Sequence, residues 1–276
     1  MRRRRPFFSP LLLLAFALLP LLGAVPAWPA PPGLTIGAGP DSRQQLVVAL
    51  AALLLEHEGY EVAIRPGLAE AELRQRLVQG EIDLCFPTGP DEPQAEAEAG
   101  AVVRLPPFAY AAGPVMLMRN EQAAALGIDS IGQLADRCRA TPGRLRLDGL
   151  DSATARQLAP YALPIPADRP LPAALLYHAL KNNRVDAALG RADDGRIVAF
   201  RLRVLADDRK ALSERHTAPL IRKETLARLP KLAEVIARLR AHLDDEAIRR
   251  LHAGVEIGHR APRALAQEWL RARKLL

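Results

Sequence analysis

Residues 34–66 read LTIGAGPDSRQQLVVALAALLLEHEGYEVAIRP, and this stretch decides the fold class. Its first four residues form a short apolar run that a Gly- and Pro-containing turn ends, which predicts a buried strand. Apolar side chains then recur at helical spacing from Leu46 to Leu54, preceded by Asp41 and Ser42 as helix-capping residues. The side chains of residues 61–64 alternate in the way that is typical of a strand, which predicts a second strand. A strand, a helix and a second strand in this order predict a parallel sheet covered by helices.

The same alternation of strands and helices continues along the chain. A helix at residues 69–79 and a strand at 82–86 extend the first unit. Further apolar runs predict strands at residues 101–105, 114–118, 144–148, 184–189 and 203–205. The remainder after residue 221 has a helical pattern. Because QGEID at 79–83 and NNRVD at 182–186 each leave a helix and enter a strand, we predict two α/β lobes rather than one sheet.

The amino terminus has the composition of an export signal. Four arginines at residues 2–5 precede an apolar run at 11–22, which predicts a cleaved signal peptide over residues 1–30 and a periplasmic protein. A membrane anchor is the alternative, although Pro10 and Pro20 bracket a run shorter than the about 20 residues that a spanning helix needs. Without these arginines, 34 basic residues oppose 31 acidic ones. The net charge falls from +7 to +3, which argues against a nucleic-acid partner.

Motifs of the common enzyme classes are absent from the sequence. It contains neither the Gly-x-Ser-x-Gly turn of hydrolases nor the His-Glu-x-x-His pattern of zinc enzymes. Gly37 and Gly39 begin a dinucleotide-binding pattern, but Ser42 stands where its third glycine belongs. The adjacent acidic pairs point apart on a strand or helix, so they cannot act as a catalytic pair. We therefore predict a protein without enzymatic activity, cofactor or metal.

The sequence has two cysteines, Cys85 and Cys138. Two are too few for a disulfide-rich scaffold, and their separation excludes a C-x-x-C metal or redox motif. Cys85 lies in a predicted strand and Cys138 near the end of a predicted helix. We predict two buried free thiols, and a disulfide between them is the alternative in an exported protein.

Polar and aromatic side chains follow the predicted strands, at the edge where a ligand would bind. Ligands of open α/β sheets lie beyond the carboxyl ends of the strands, and an interface between lobes supplies a concave surface. Aromatic residues make up only 4% of the chain, so few rings are available at this edge. We predict a ligand site formed by Asp41, Ser42, Phe86, Thr88, Phe108, Tyr110, Asp194, His216 and Thr217.

Successive segments of the chain resemble one family of transport proteins. These are residues 34–66, VQGEIDLCFPTGP at 78–90, residues 105–135 and residues 177–208, with the closest similarity at 218–270. In order and spacing they resemble the periplasmic substrate-binding proteins of ABC importers for glycine betaine, choline and carnitine, which are osmoprotectants.

The resemblance implies a type II periplasmic-binding-protein fold, in which the second α/β lobe is inserted in the first. Lobe 1 would comprise residues 31–115 and 214–276, and lobe 2 residues 116–213. The implied protein is a monomer that clamps a small solute between its lobes and delivers it to an ABC permease in the inner membrane.

The chain departs from the family's pattern where the ligand would lie. Residues 39–44 read GPDSRQ and lack the family's basic residue that meets a betaine carboxylate. Residues 87–90 keep Thr88 but lose the family's tyrosine, which reduces the aromatic cage. These departures predict a quaternary-amine-like or other small cationic or polar ligand, with choline-like cations bound better than glycine betaine. The alternative is a sensor or interaction module with a degraded ligand site.

Overall fold

The computed structural model describes residues 32–89, 100–148, 156–164 and 171–276, except the side chains of residues 173 and 174. The predicted signal peptide lies outside the described residues. From Pro32 onward the chain forms one compact unit that contains two larger sheets and a short ribbon.

The first sheet has five strands in the order β2-β1-β3-β11-β5. They are β1 (Gly33–Gly37), β2 (Glu61–Arg65), β3 (Leu84–Cys85), β5 (Val102–Arg104) and β11 (Leu220–Arg222). The first three are parallel, and β11 runs antiparallel to both of its neighbours. The carboxyl ends of β1 and β3 therefore share one edge with the amino end of β11.

The second sheet has four strands in the order β7-β8-β6-β9, and all of them lie between β5 and β11 in sequence. They are β6 (Pro114–Arg119), β7 (Leu147–Asp148), β8 (Ala187–Arg191) and β9 (Leu202–Val204). A ribbon pairs β4 (Thr88–Gly89) with β10 (His216–Thr217). The second sheet is thus an insertion into the first, and β6 begins two residues before the predicted start of lobe 2.

Ten α-helices cover the sheets in the described part of the chain. They are α1 (Ser42–His57), α2 (Glu70–Gln79), α3 (Asn120–Leu126), α4 (Ile131–Ala140), α5 (Ala173–Lys181), α6 (Arg196–Ala199), α7 (Lys223–Arg228), α8 (Leu232–Arg240), α9 (Asp245–Glu256) and α10 (Pro262–Ala272). None of these helices combines the length and the apolar character that crossing a membrane would require.

Helix α1 lies at the centre of the first lobe. The Asp41 carboxylate caps it by accepting a hydrogen bond of 2.8 Å from the Gln44 amide. The sequence predicts one apolar face, but all ten residues from 46 to 55 are buried. Helices α8, α9 and α10, from the carboxyl-terminal part of the chain, pack on α1 and cover its other sides. A helix that is apolar all round needs this enclosure.

A buried carboxylate holds one end of the second sheet together. Asp186 is 6% exposed. Its Oδ2 accepts hydrogen bonds of 2.9 and 3.0 Å from the backbone amide and the Nε of Arg146. Its Oδ1 accepts bonds from Gln122 (2.9 Å) and Arg119 (3.2 Å). These contacts join the start of β8 to the residues before β7 and to the end of β6.

Both cysteines are buried and free, as the sequence predicts. Burial raises the pKa of the Cys85 thiol to about 12. Because the thiolate is the reactive form of cysteine, Cys85 is an inert core side chain rather than a nucleophile.

Candidate ligand-binding site

Two stretches of chain connect the sheets and run beside each other. The first leads from β5 to β6, and the second returns from β9 to β11. The Phe108 amide donates to the Thr217 carbonyl (2.9 Å), and the Ala112 amide donates to the Arg215 carbonyl (2.8 Å). The side chains of both stretches consequently lie near the carboxyl ends of β1 and β3.

A cavity of about 160 Å³ lies at this edge. Five of the nine predicted ligand residues line it, and these are Asp41, Phe86, Thr88, Tyr110 and Thr217. Six further charged or titratable side chains line the same cavity: Arg43, Glu70, Arg191, Asp193, Arg215 and His252. The cavity therefore combines groups from both sheets, from the returning connection and from α9.

The other four predicted residues do not line this cavity. Ser42 occupies the first turn of α1. Phe108 is buried in the core, and the Nδ1 of His216 lies 3.1 Å from the Tyr110 carbonyl oxygen. Asp194 is buried in an ion pair with Arg196, at 2.6 Å. Burial opposes ionisation of Asp194, but hydrogen bonds from Arg196 hold its pKa below the ordinary value.

The aromatic side chains form a stack rather than an open cage. The ring centroids of Phe86 and Phe108 are 5.9 Å apart, and those of Phe108 and Tyr110 are 5.8 Å apart. All three rings are almost completely buried. A cation–π cage needs several accessible ring faces, whereas these rings present much of theirs to one another.

Positive charge reaches the cavity from three arginines in different parts of the chain. Arg191 ends β8 and forms a two-point ion pair with Asp193 (3.1 and 3.2 Å). Arg43 approaches Asp194 at 3.7 Å. The guanidinium of Arg215 makes no ion pair with any residue that the structure describes. The cavity therefore holds three arginines, although the segment after β1 lacks the family's basic residue.

Three hydroxyl groups form a chain along the wall of the cavity. The Thr88 and Thr217 hydroxyls share a hydrogen bond of 2.9 Å across the β4–β10 ribbon. The Tyr110 hydroxyl bonds to the Thr217 side chain, and burial raises the pKa of this phenol, so it stays protonated. The cluster offers uncharged hydrogen-bonding groups between the charged residues.

Helix α9 joins the cavity to the second sheet. Residues 192–195, directly after β8, pack against it. The Nδ1 of His252 donates to the Asp193 carbonyl at 2.7 Å, and the Nε of Arg249 donates to the Ala192 carbonyl at 2.6 Å. These bonds connect a helix of the first lobe to the strand-end loop of the second.

Comparison with known proteins identifies the family. Residues 32–272 match the model of the substrate-binding domain of ABC-type glycine betaine transport systems. The chain belongs to this family. This substrate-binding domain is 31% identical over 275 residues to a glycine-betaine-binding protein of Pseudomonas aeruginosa, covering 88% of each chain. It is 35% identical over 101 residues to a carnitine transport binding protein of Listeria monocytogenes, covering 37% of this chain and 33% of the relative.

Solved structures support the same fold. A crystal structure named as a glycine betaine/carnitine/choline ABC transporter superposes on this substrate-binding domain with a TM-score of 0.78 and 21% identity, covering 89% of this chain and 99% of the other. The predicted family and the two-lobed type II fold are confirmed. Substrate-binding proteins of this family bind small solutes outside the cytoplasmic membrane and work with an ABC permease, and they are not enzymes.

The substrate-binding domain contains site residues that its sequence did not indicate. Arg191 lies two residues after the predicted strand 184–189, and Arg215 directly precedes the predicted site residue His216, so these positions were the available signal. His252 lies within a helix, ten residues after His242, and no local pattern distinguishes it. Only the packing of α9 against residues 192–195 brings it to the cavity.

We expect Thr88→Val to weaken both folding and ligand binding modestly. The change removes the hydroxyl that bonds to Thr217, at a cost of about 0.5–1.5 kcal/mol in the free energy of unfolding. Ligand affinity should fall as well, because Thr88 lines the cavity. Thr141→Val is the matched control, since the Thr141 hydroxyl donates one bond of 3.0 Å to the Arg137 carbonyl away from the cavity. Urea denaturation measures the free energy of unfolding of both variants, and calorimetry measures their affinity. Wild-type affinity in both variants would contradict the prediction.

Proposed function

We propose that this chain binds a small zwitterionic solute of the osmoprotectant class in the cavity and delivers it to an ABC permease. One observation carries the proposal: guanidinium and carboxylate groups line the same small cavity, with Arg191 and Arg215 among the cations and Asp41 and Glu70 among the anions. A zwitterion such as glycine betaine or carnitine presents the complementary pair of charges. The names of the relatives, which bind these two solutes, agree with this class.

The carboxylate of the solute is assigned to the arginines. A guanidinium offers a planar pair of N–H donors that matches a carboxylate, and such charge-assisted bonds are about twice as strong as neutral ones. Arg215 is the first candidate because it has no ion-pair partner in the described part of the chain. Arg191 and Arg43 already contact carboxylates, so they add positive potential around it.

The cationic end of the solute is assigned to the carboxylates that line the cavity. Asp41 makes no ion pair with the described residues, and its only side-chain bond there is the cap to Gln44. Glu70 lies 3.4 Å from Arg74, so its charge is shared. Phe86 and Tyr110 supply the apolar part of the cavity.

The proposed cycle involves binding and lobe closure without a chemical step. The two lobes, divided as residues 31–115 with 214–276 and residues 116–213, close on the solute, and the permease recognises the closed form. We propose a periplasmic monomer, exported through a cleaved signal peptide at residues 1–30, that has no nucleic-acid partner. The relatives are transport proteins, so the sensor alternative lacks support.

Because arginines line the cavity, the proposal reverses the preference for choline over glycine betaine that the sequence predicts. We expect glycine betaine to bind about tenfold or more tightly than choline, because the two share a trimethylammonium group and differ in the carboxylate. Isothermal titration calorimetry on the mature protein measures both. Arg215→Gln should remove most of this preference, whereas Arg139→Gln, a change on the exposed surface of α4, should leave it intact. Tighter binding of choline than of glycine betaine would contradict the proposal, as would the absence of binding to every zwitterion tested.

A further inference from the structure

His252 is a buried side chain at the cavity with one nitrogen unsatisfied. It is 1% exposed and lines the cavity from α9. Its Nδ1 is bonded to the Asp193 carbonyl at 2.7 Å. Its Nε2 is buried and has no hydrogen-bond partner among the residues that the structure describes. The nitrogen left for a ligand is therefore Nε2.

The bond to Asp193 determines what this nitrogen can do. A carbonyl oxygen only accepts hydrogen bonds, so Nδ1 carries the proton. Burial lowers the pKa of His252 and outweighs the charge and the carbonyl of Asp193, which act to raise it, so the ring is neutral. In a neutral imidazole whose Nδ1 is protonated, Nε2 is a bare acceptor. A donor hydrogen from a bound solute would satisfy it.

The cationic groups of possible solutes differ in whether they provide such a hydrogen. A trimethylammonium group has none, whereas primary, secondary and tertiary ammonium groups carry at least one N–H. Leaving a buried acceptor unpaired weakens binding measurably, which is how a polar site rejects a ligand that lacks the matching group. The stacked rings of Phe86, Phe108 and Tyr110 also leave a trimethylammonium group little accessible aromatic surface.

We propose that the cavity selects zwitterions whose cationic nitrogen bears an N–H, and that His252 Nε2 accepts this hydrogen bond. The inference rests on the proposed function and narrows its ligand class from osmoprotectant zwitterions in general to amino-acid-like ones. The carboxylate end stays with Arg215, and the ammonium lies between His252 and the carboxylates of Asp41 and Glu70. His252 is then a specificity-determining residue contributed by the first lobe.

The test is calorimetry with four probes: glycine, N-methylglycine, N,N-dimethylglycine and glycine betaine. They share the carboxylate, and only the last lacks an N–H. We expect wild-type affinity to drop about tenfold or more at the last methylation. His252→Leu should reduce this step to about twofold or less, and His252→Gln, which can place an amide oxygen near the position of Nε2, should restore part of it. The measured quantity is the affinity ratio between the last two probes, so a general weakening of closure does not affect it.

Arg249→Leu is the matched control. It removes the bond to the Ala192 carbonyl across the same contact, but Arg249 does not line the cavity. The affinities of Arg249→Leu for all four probes should fall together, while the affinity ratio between the last two probes stays at the wild-type value. Glycine betaine binding as tightly as N,N-dimethylglycine would overturn this inference and leave the proposed function standing. If a folded His252→Leu protein kept the wild-type affinity ratio between N,N-dimethylglycine and glycine betaine, the role of His252 would be overturned. If none of the four probes bound to the wild type, both proposals would be overturned.

Discussion

A Gly195→Ala variant is expected to bind its tightest zwitterion about tenfold or more weakly than the wild type. Gly195 follows β8 and lies against α9, where an added methyl group would overlap the backbone nitrogen of Ala253 and lie 2.5 Å from its Cα. Backbone atoms of a helix cannot move aside as a side-chain end can, so the lobes must separate. Overpacking of this kind costs about 1–3 kcal/mol. Calorimetry gives the affinity, and thermal unfolding without ligand should change little because the open form relieves the overlap.

Gly33→Ala provides the matched control. Gly33 lies at the amino end of β1, away from the cavity, and the nearest atom to an added methyl group is the Glu61 carbonyl oxygen at 4.0 Å. This variant should bind as the wild type does. Wild-type affinity in Gly195→Ala would show that the contact between residues 192–195 and α9 is not needed for the bound state.

An Asp186→Ala variant should lose about 3–5 kcal/mol of the free energy of unfolding at neutral pH. The change leaves Arg119, whose Nη1 also donates to the Leu180 and Val185 carbonyls, half-buried without its carboxylate partner. Urea denaturation followed by circular dichroism measures the loss. Asp136→Ala is the control, because the Asp136–Arg139 pair is exposed on α4 and such pairs contribute little. A loss below about 1 kcal/mol in Asp186→Ala would contradict the assignment.

The contribution of Asp186 should also depend on pH in a defined direction. Burial acts to raise its pKa, but hydrogen bonds from the side chain and backbone of Arg146 lower it from 3.8 to about 2. A carboxylate with a depressed folded-state pKa stabilises the fold fully above its unfolded pKa. The difference in stability between wild type and Asp186→Ala should therefore be constant at neutral pH and shrink as the pH falls from about 4 to about 2.

The helices and strands with strong periodicity could be predicted from the sequence, whereas the site could be predicted only in part. Helix α10 lies in the part after residue 221 whose pattern predicts helices, because Pro262 fits the first helical turn and its apolar residues recur regularly. Helices α3 and α6, of seven and four residues, lack side-chain caps and were missed. Their positions depend on packing against the second sheet more than on local sequence.

The site shows the same division between local and long-range information. Thr88 and Tyr110 follow from their places beside strand ends. Phe108 has a similar place, yet its ring packs between two others, and no sequence pattern distinguishes it from a cavity residue. Arg215 and His252 meet only because two connections and a carboxyl-terminal helix come together, which a single sequence does not reveal.

The bonds from α9 to residues 192–195 separate which solute is chosen from how long it stays. His252 and Arg249 bond to backbone carbonyls, so the contact itself does not depend on which solute is bound. In the proposed cycle a solute leaves after these bonds break, so lobe opening gates the dissociation rate. Changes at Arg249, outside the cavity, would alter residence time for every ligand alike. Natural selection acting on residues of α9 outside the cavity could therefore match the release time of the solute to the turnover of the permease. The preference for one solute over another would stay unchanged.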